Sequence, residues 1–341
     1  MTYTFGYNLG KQARVRRCIL IFMVRFTVLA SGSRGNCSVV TGGQTRILVD
    51  AGLSCREMFR RMKEVGEDPA TLDAILITHE HSDHVAGLSV TARKLGIPVY
   101  FTEGTHRAWK KWLTPNRRLT YKQWLEQCRS AAAAREDGVV EADLTTEQAE
   151  VEEAPGTPAE VTASDRPTAE KDPTALPQVE YFEAGHPFEV GDIRVNPFTI
   201  SHDAADPVGF VFETEGARIA VATDLGYISP NVKLQLRALN LLLIESNHDL
   251  EMLRDGPYPW SVKQRVLSRV GHLSNDAASD FLEQEYDGNA AYVILGHLSE
   301  NNNLPELARV AAERALSGRA SLLSNRLLLA EQHSPLNPVT F

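Results

Sequence analysis

The run Asp73-Ala74-Ile75-Leu76-Ile77-Thr78, followed by His79-Glu80-His81-Ser82-Asp83-His84, decides how the rest of this chain is read. Apolar, β-prone residues ending in a dense polar cluster predict a buried strand that delivers side chains to a loop at its carboxyl end. Four of the six cluster residues, His79, His81, Asp83 and His84, are the candidates for metal binding. His79 and His81 stand two apart, so in an extended loop both project to one side and can grip a single cation. Asp83 and His84 follow where the chain turns toward a helix expected over Ala86–Leu95, and they can reach a second cation. The layout predicts two metals side by side.

A chance run of histidines would need no partners, but further candidates recur at strand ends. Strand Ile193–Ile200 runs into Ser201-His202-Asp203, and strand Ala217–Ala222 into Thr223-Asp224-Leu225-Gly226. Strand Asn240–Ile244 is followed by Glu245-Ser246-Asn247-His248-Asp249, and strand Ala291–Leu295 by Gly296-His297-Leu298-Ser299. Strands Val179–Phe182, Phe188–Val190 and Val208–Thr214 belong to the same series, which predicts mixed sheets. Apolar strands that each end in His, Asp or Glu suit a metal site at one edge of a two-sheet sandwich. Helices are expected from Ser54, whose Ser-Cys-Arg-Glu opening is a capping box, over Asp276–Tyr286 and over Leu304–Leu316, with a frayed tail beyond Gln332.

Composition separates the folding part of the 341 residues from the rest. Residues 131–176 are rich in Ala, Glu, Thr and Pro and have no aromatic residue, which predicts a disordered acidic insertion. Its twelve acids and three bases give a net charge of −9, equal to that of the whole chain, so the remainder is formally neutral. The first 22 residues read as an extension foreign to the fold. Arg14, Arg16 and Arg17 before Cys18–Val24 imitate a signal peptide, but Arg25 interrupts the apolar run, and Val24–Ala30 reads as the first core strand of a chain starting at Met23. What remains, 23–130 with 177–330, suits one α/β domain. No stretch approaches the roughly 20 apolar residues of a membrane span. The four cysteines form no Cys-x-x-Cys pair, as expected of reduced thiols in a cytoplasmic protein.

Between Thr105 and Trp124 the chain carries Arg107, Lys110, Lys111, Arg117, Arg118 and Lys122 without one acid, together with Trp109, Trp112 and Trp124. Cations interleaved with aromatics suit single-stranded nucleic acid, with phosphates on the cations and bases on the rings. An amphipathic helix with core tryptophans and a solvated basic face has the same pattern. Trp109, Lys110 and Lys111 are the candidates for substrate contact.

His79-x-His81-x-Asp83-His84 resembles the signature of the metallo-β-lactamase fold superfamily, which implies an α/β four-layer αββα sandwich with mixed sheets. The superfamily pattern implies that His79, His81 and His202 hold one metal and Asp83, His84 and His297 a second, with Asp224 bridging both. A carboxylate bridge with no nearby cysteine resembles the phosphodiesterase, ribonuclease Z and lactonase branches, and argues against β-lactamase activity. Ala30-Ser31-Gly32-Ser33-x-Gly35-Asn36, Val49-Asp50-Ala51-Gly52-Leu53-Ser54, Gly271-His272-Leu273-Ser274-Asn275 and Gly296-His297-Leu298-Ser299-x-x-Asn302-Asn303 resemble the bacterial YycJ/WalJ-type proteins.

That resemblance implies a cytoplasmic, metal-dependent 5′-to-3′ exonuclease acting on DNA. Its substrate is expected to be single-stranded or to carry a free 5′ end, with Ser33, Asn36, Ser299, Asn302 and Asn303 as substrate contacts. Two cations facing one water lower its pKa toward neutrality and offset charge on a phosphate in displacement. Asp83 is the expected proton acceptor. His272, resembling a ribonuclease Z histidine, is the expected general acid with His248 as competitor. The histidine-rich set fits zinc, and the carboxylates leave manganese or iron open. Two alternatives stand beside this reading: a lactonase or small-molecule phosphodiesterase on the same site, and a regulatory module without turnover that meets a protein partner through the acidic insertion. The sequence assigns no oligomeric state.

Overall fold

The structure, a computed structural model, describes residues 24–114, 172–317 and 326–341. The chain divides into a larger unit, Met1–Trp109 with Leu176–Phe341, and a smaller one, Lys110–Ala175. The 1–22 extension, residues 131–171 of the acidic insertion, and Arg117, Arg118, Lys122 and Trp124 lie outside the described residues.

Among the described residues the larger unit is built on two seven-stranded sheets, laid down in chain order except for the last strand. The first holds β1 (Arg25–Ala30), β2 (Cys37–Thr41), β3 (Arg46–Val49), β4 (Ala74–Leu76), β5 (Val99–Phe101) and β6 (Val179–Tyr181). The second holds β7 (Phe188–Val190), β8 (Ile193–Thr199), β9 (Val208–Thr214), β10 (Ala217–Ala222), β11 (Leu241–Glu245), β12 (Tyr292–Gly296) and β13 (Arg326–Leu329). The last strand, β14 (Val339–Thr340), returns to the first sheet and pairs antiparallel with β1, Phe26 opposite Val339. The expected frayed tail is thus corrected: the terminal strand satisfies backbone groups on the edge of β1, and Val339 is buried there. Each sheet begins with antiparallel hairpins and ends in parallel strands, so both are mixed.

Side-chain alternation explains why the sheets stack with helices outside. Along β11, Leu241 and Leu243 join the core between the sheets, where they meet Val28, Ile47, Val49, Phe210 and Phe212. Leu242 and Ile244 face the other way, into a core with Val232, Phe281, Leu282, Ala308 and Ala312. Those last residues lie on α5 (Pro230–Gln235), α8 (Asn275–Gln284) and α9 (Pro305–Ser317). The first sheet is flanked by α1 (Cys55–Glu64), with Met58 and Met62 fully buried, and by α3 (Leu88–Leu95). This is the α/β sandwich expected from the sequence. Ser54 caps α1 by accepting a hydrogen bond from the Glu57 amide. The expected Ala86–Leu95 helix begins at Leu88, as α3, and a separate one-turn helix α2 (Ser82–Val85) precedes it.

α4 (Glu103–Leu113) corrects one expectation about the aromatic stretch. Trp109 has no exposed surface and stacks with His106, so its ring is not available to a base. Helical periodicity turns this face inward and leaves Lys110 and Lys111 exposed in the last turn.

Candidate metal centre

The site forms where strands of both sheets run out. In the second sheet β10, β11 and β12 are parallel and in register: Ala222 pairs with Ile244, and Glu245 with Gly296. The polar residues that follow, Asp224, Glu245 and His297, therefore arrive side by side. Asp224 and His297 take left-handed backbone conformations, with φ of 60° and 56°, and so does Asp50 at 59°. Such a backbone costs a non-glycine residue of order 1–3 kcal/mol and persists only where surrounding contacts impose it.

From the first sheet, the 79–84 loop is clamped by two neighbouring turns. The Asn36 amide donates to the Asp83 carbonyl at 2.7 Å, and the Ala51 amide to the His84 carbonyl at 2.7 Å. Gly52 packs so closely that a Cβ there would stand 1.6 Å from the Asp83 carbonyl oxygen.

Two groups of donors result. His79, His81 and His202 form one, and Asp83, His84, Asp224 and His297 the other, the ligand atoms within each lying within 4.8 Å of one another. In the first, His202 Nε2 is 3.2 Å from His81 Nδ1, and the Gly271 carbonyl lies 3.2 Å from His202 Nδ1 and orients that ring. Asp224 links the groups: its carboxylate lies 3.3 Å from His84 Nε2, 3.4 Å from His297 Nε2 and 3.9 Å from His202 Nε2. A further combination, Asp224, Glu245, His272 and His297, also lies within ligand range.

Two buried atoms test whether this donor set fits cations. Among the described residues His79 Nε2 has no hydrogen-bond partner, and Asp224 Oδ2 has none beyond its 3.3 Å contact with His84 Nε2, although neither atom is exposed to solvent. An orphaned buried imidazole nitrogen and carboxylate oxygen cost free energy unless something else satisfies them. Burial holds the His79 imidazole well below its usual pKa, in the neutral form that offers a lone pair. Burial opposes charge on Asp224 too, but His297 and His84 hold it well below the usual carboxylate range. The far ring nitrogens are held from behind: Thr78 Oγ1 lies 3.0 Å from His79 Nδ1, and Asp50 Oδ2 lies 2.8 Å from His84 Nδ1. Carboxylate and hydroxyl partners of this kind fix ring orientation at metal-binding histidines. The residues present fit divalent cations.

The profile of the Metallo-beta-lactamase superfamily matches residues 30–297. The chain belongs to that superfamily. Within this superfamily it is 33% identical to exodeoxyribonuclease YycJ of Bacillus anthracis over 86% of this chain and 89% of that one. It is 32% identical to exodeoxyribonuclease WalJ of Streptococcus pneumoniae over 86% of this chain and 88% of the relative. The metallo-beta-lactamase fold protein YhfI of Bacillus subtilis has the same fold, at a TM-score of 0.56 and 14% identity over 92% of this chain and 99% of that structure. A diphosphatase of the PhnP family aligns at a TM-score of 0.52 and 16% identity over 94% and 98% of the two chains. The chain is therefore an enzyme of a hydrolase superfamily, of the YycJ/WalJ type. No helix among its described residues is long and apolar enough to cross a membrane.

The superfamily signature located the seven ligand candidates, and the structure brings all seven together with His272. Missing from the sequence reading is the part played by Glu245. It is fully buried; its Oε1 lies 2.8 Å from His272 Nδ1 and 2.9 Å from His297 Nδ1, and its Oε2 accepts the amides of Leu225 and Leu273. One carboxylate thus sets the orientation of two histidines. The available signal was a lone acid at the end of the apolar run Leu241–Ile244, where a buried charge needs several partners. Asp50 plays the corresponding part behind His84 and Thr78.

The expected substrate contacts divide. Ser33 is exposed, whereas Asn36 is buried and its side chain donates to Gly32 O and Asp83 Oδ2, making it a support of the 79–84 loop. Asn303 is saturated, donating to the carbonyls of Ser246 and Asn247 and to Asn275. Ser299 is buried and accepts from Asn302, whose own Oδ1 has no hydrogen-bond partner among the described residues. Substrate contact by Asn303 is corrected to a structural role: its hydrogen-bonding capacity is spent on pinning the loops around His297.

Proposed function

We propose that this enzyme is a metal-dependent phosphodiesterase that degrades DNA as a 5′-to-3′ exonuclease. His79, His81 and His202 would hold one divalent cation and Asp83, His84 and His297 a second, with Asp224 shared between them. The observation that carries the proposal is the placement of Asp224, within 3.9 Å of histidines from both donor groups and of His272 Nδ1. A shared carboxylate of this kind supports a paired-cation site, and the relatives named exodeoxyribonuclease support DNA as its substrate. Zinc fits the imidazole-rich set, and the carboxylates also accommodate manganese or iron. Bound cations would supply acidified water and neutralise charge on the phosphoryl group.

The chain's own residues supply the proton chemistry. Asp83, with 18% of its side chain exposed, faces the centre and is the proton acceptor. His272, 23% exposed and held by Glu245, is the general acid in this reading and would protonate the leaving oxygen. His248 suits that role less well. Burial pushes it down to about 4, so it is neutral near pH 7, and neither ring nitrogen has a hydrogen-bond partner among the described residues.

The test is digestion of end-labelled single- and double-stranded DNA with zinc or manganese, beside Asp83→Ala and His272→Ala. Metal-dependent shortening from the 5′ end, abolished by Asp83→Ala and slowed about 10²–10⁴-fold by His272→Ala, is the expected result. Intact DNA together with turnover of a small phosphodiester or lactone would move the assignment to a small-molecule hydrolase.

A further inference from the structure

Burial of Trp109 removes one aromatic candidate for a nucleic-acid strand, and the structure offers another. Between Asp255 and Asp276 the chain has no acid but contains Lys263, Arg265 and Arg269, with Tyr258 and Trp260. This segment includes α7 (Trp260–Val266) and leads directly into His272. Trp260 is 66% exposed, unusual for the largest apolar side chain, and Leu267 and Val270 are exposed nearby in the chain. Lys263 is buried and donates to the Arg254 and Gly256 carbonyls, so it serves the turn before α7. Arg269 lies over the ring of half-exposed Tyr227, its guanidinium carbon 4.1 Å from the centroid.

Backbone contacts fasten this surface to the metal centre. The Arg269 carbonyl accepts from Ser201 Oγ at 2.7 Å, and the Val270 carbonyl from the Asp203 amide at 3.0 Å, on either side of His202. The His272 amide donates to the Val266 carbonyl at 3.0 Å, tying the end of α7 to the expected general acid. At 1.5 Å per residue, Trp260 stands about 9 Å back along the helix from that tie, roughly the length of three stacked nucleotides. The neighbouring acids are largely matched: Asp203 is ion-paired with Arg265 and Asp255 with Arg254.

We infer that Tyr227, Trp260 and Arg269 form a track on which a single DNA strand lies as it enters the metal centre, a reading that rests on the nuclease assignment. Trp260 offers its face to bases of any sequence, and Arg269, held against the Tyr227 ring, offers its charge to the phosphates. Sequence-independent stacking suits an exonuclease, which must accept every nucleotide in turn.

The test is fluorescence anisotropy of a labelled oligothymidylate with the full-length protein in EDTA, across a salt series. Trp260→Ala is expected to weaken binding about tenfold and Trp260→Phe to stay within about threefold of the wild type. Arg269→Ala should lower the slope of log K against log salt by about one. Val310→Ala, at an exposed site on α9, is the control and should bind as the wild type. Wild-type affinity and salt slope in both Trp260→Ala and Arg269→Ala would overturn the track while leaving the nuclease assignment intact. Binding that depends on Arg269 but not on Trp260, and is as strong for polyglutamate, would mark a surface for an acidic protein and also overturn it. A wild-type protein that neither binds nor shortens DNA yet hydrolyses a small phosphodiester would refute the nuclease assignment and the track with it.

Discussion

Replacing Glu245 with glutamine keeps the shape of the side chain and removes the charge that holds two histidines. In the structure one oxygen serves both His272 and His297, at 2.8 and 2.9 Å, while the other accepts two backbone amides. A glutamine has one acceptor oxygen for these four donors, and its NH2 group must face at least one of them. Hydrogen bonds to a charged partner contribute about 1.5–3 kcal/mol, so losing one corresponds to roughly a 10- to 150-fold effect. Loss of such a supporting carboxylate typically lowers metal affinity about 10–100-fold. The assay is competition for zinc with a chromophoric chelator, on the wild type, Glu245→Gln and Glu245→Asp, with a pH–rate profile of each. Burial opposes charge on His272, but Glu245 raises its pKa above the ordinary value of 6.5. Without that charge the acid form is lost at lower pH, so the alkaline limb of the profile should move down. Glu245→Asp, which keeps the charge but draws it back by one methylene, should fall between the other two. Unchanged zinc affinity together with an unmoved alkaline limb in Glu245→Gln would refute this reasoning.

Gly52→Ala should displace the Asp83–His84 turn, because the new Cβ would stand 1.6 Å from the Asp83 carbonyl oxygen. We expect at least a tenfold loss of metal affinity with the circular dichroism spectrum retained, and normal metal binding would contradict it. Trp109→Ala empties a fully buried site and should cost about 3–5 kcal/mol in urea denaturation. A loss below about 1 kcal/mol would mean that the ring is not packed as described. Glu57 is held down to about 2 by hydrogen bonds from Arg60 and Arg61, against an ordinary value of 4.5. Its contribution, about 1 kcal/mol for a partly exposed pair, is therefore full above pH 4.5 and disappears as pH falls toward 2. The thermal midpoints of wild type and Glu57→Gln should differ at pH 7 and converge near pH 2, and a gap that persists in acid would refute the pairing.

Much of this site is legible in the chain because its information is local. A run such as Ala74–Ile77 declares a buried strand, and the polar residue after it falls at the strand's carboxyl end whatever the other strands do. For that reason β7, β9 and β10 have the bounds expected from the sequence, and His79, His81, Asp83 and His84 were recognisable by spacing alone. His202, Asp224 and His297 were candidates by the same logic, although their assignment to particular metals came from the family resemblance.

What the tertiary structure decided depends on contacts between distant residues. An alternation of basic and aromatic residues does not say which face of α4 meets the core, and packing placed Trp109 inside while Trp260, in a shorter helix, stayed outside. Nor does the sequence around Glu245 say that one carboxylate serves two histidines, 27 and 52 residues further on. His297 meets Glu245 through the register of parallel strands, set by the whole sheet, and His272 through the segment that leads into α8. The pairing of Val339 with Phe26 is of the same kind, since an edge strand chooses its partner by the exposed backbone groups it finds. The sequence by itself determined the ligand chemistry and the strands that carry it. The three-dimensional packing alone determined which carboxylates orient those ligands and which aromatic rings remain open to solvent, because these depend on side chains that meet only after the sheets have stacked.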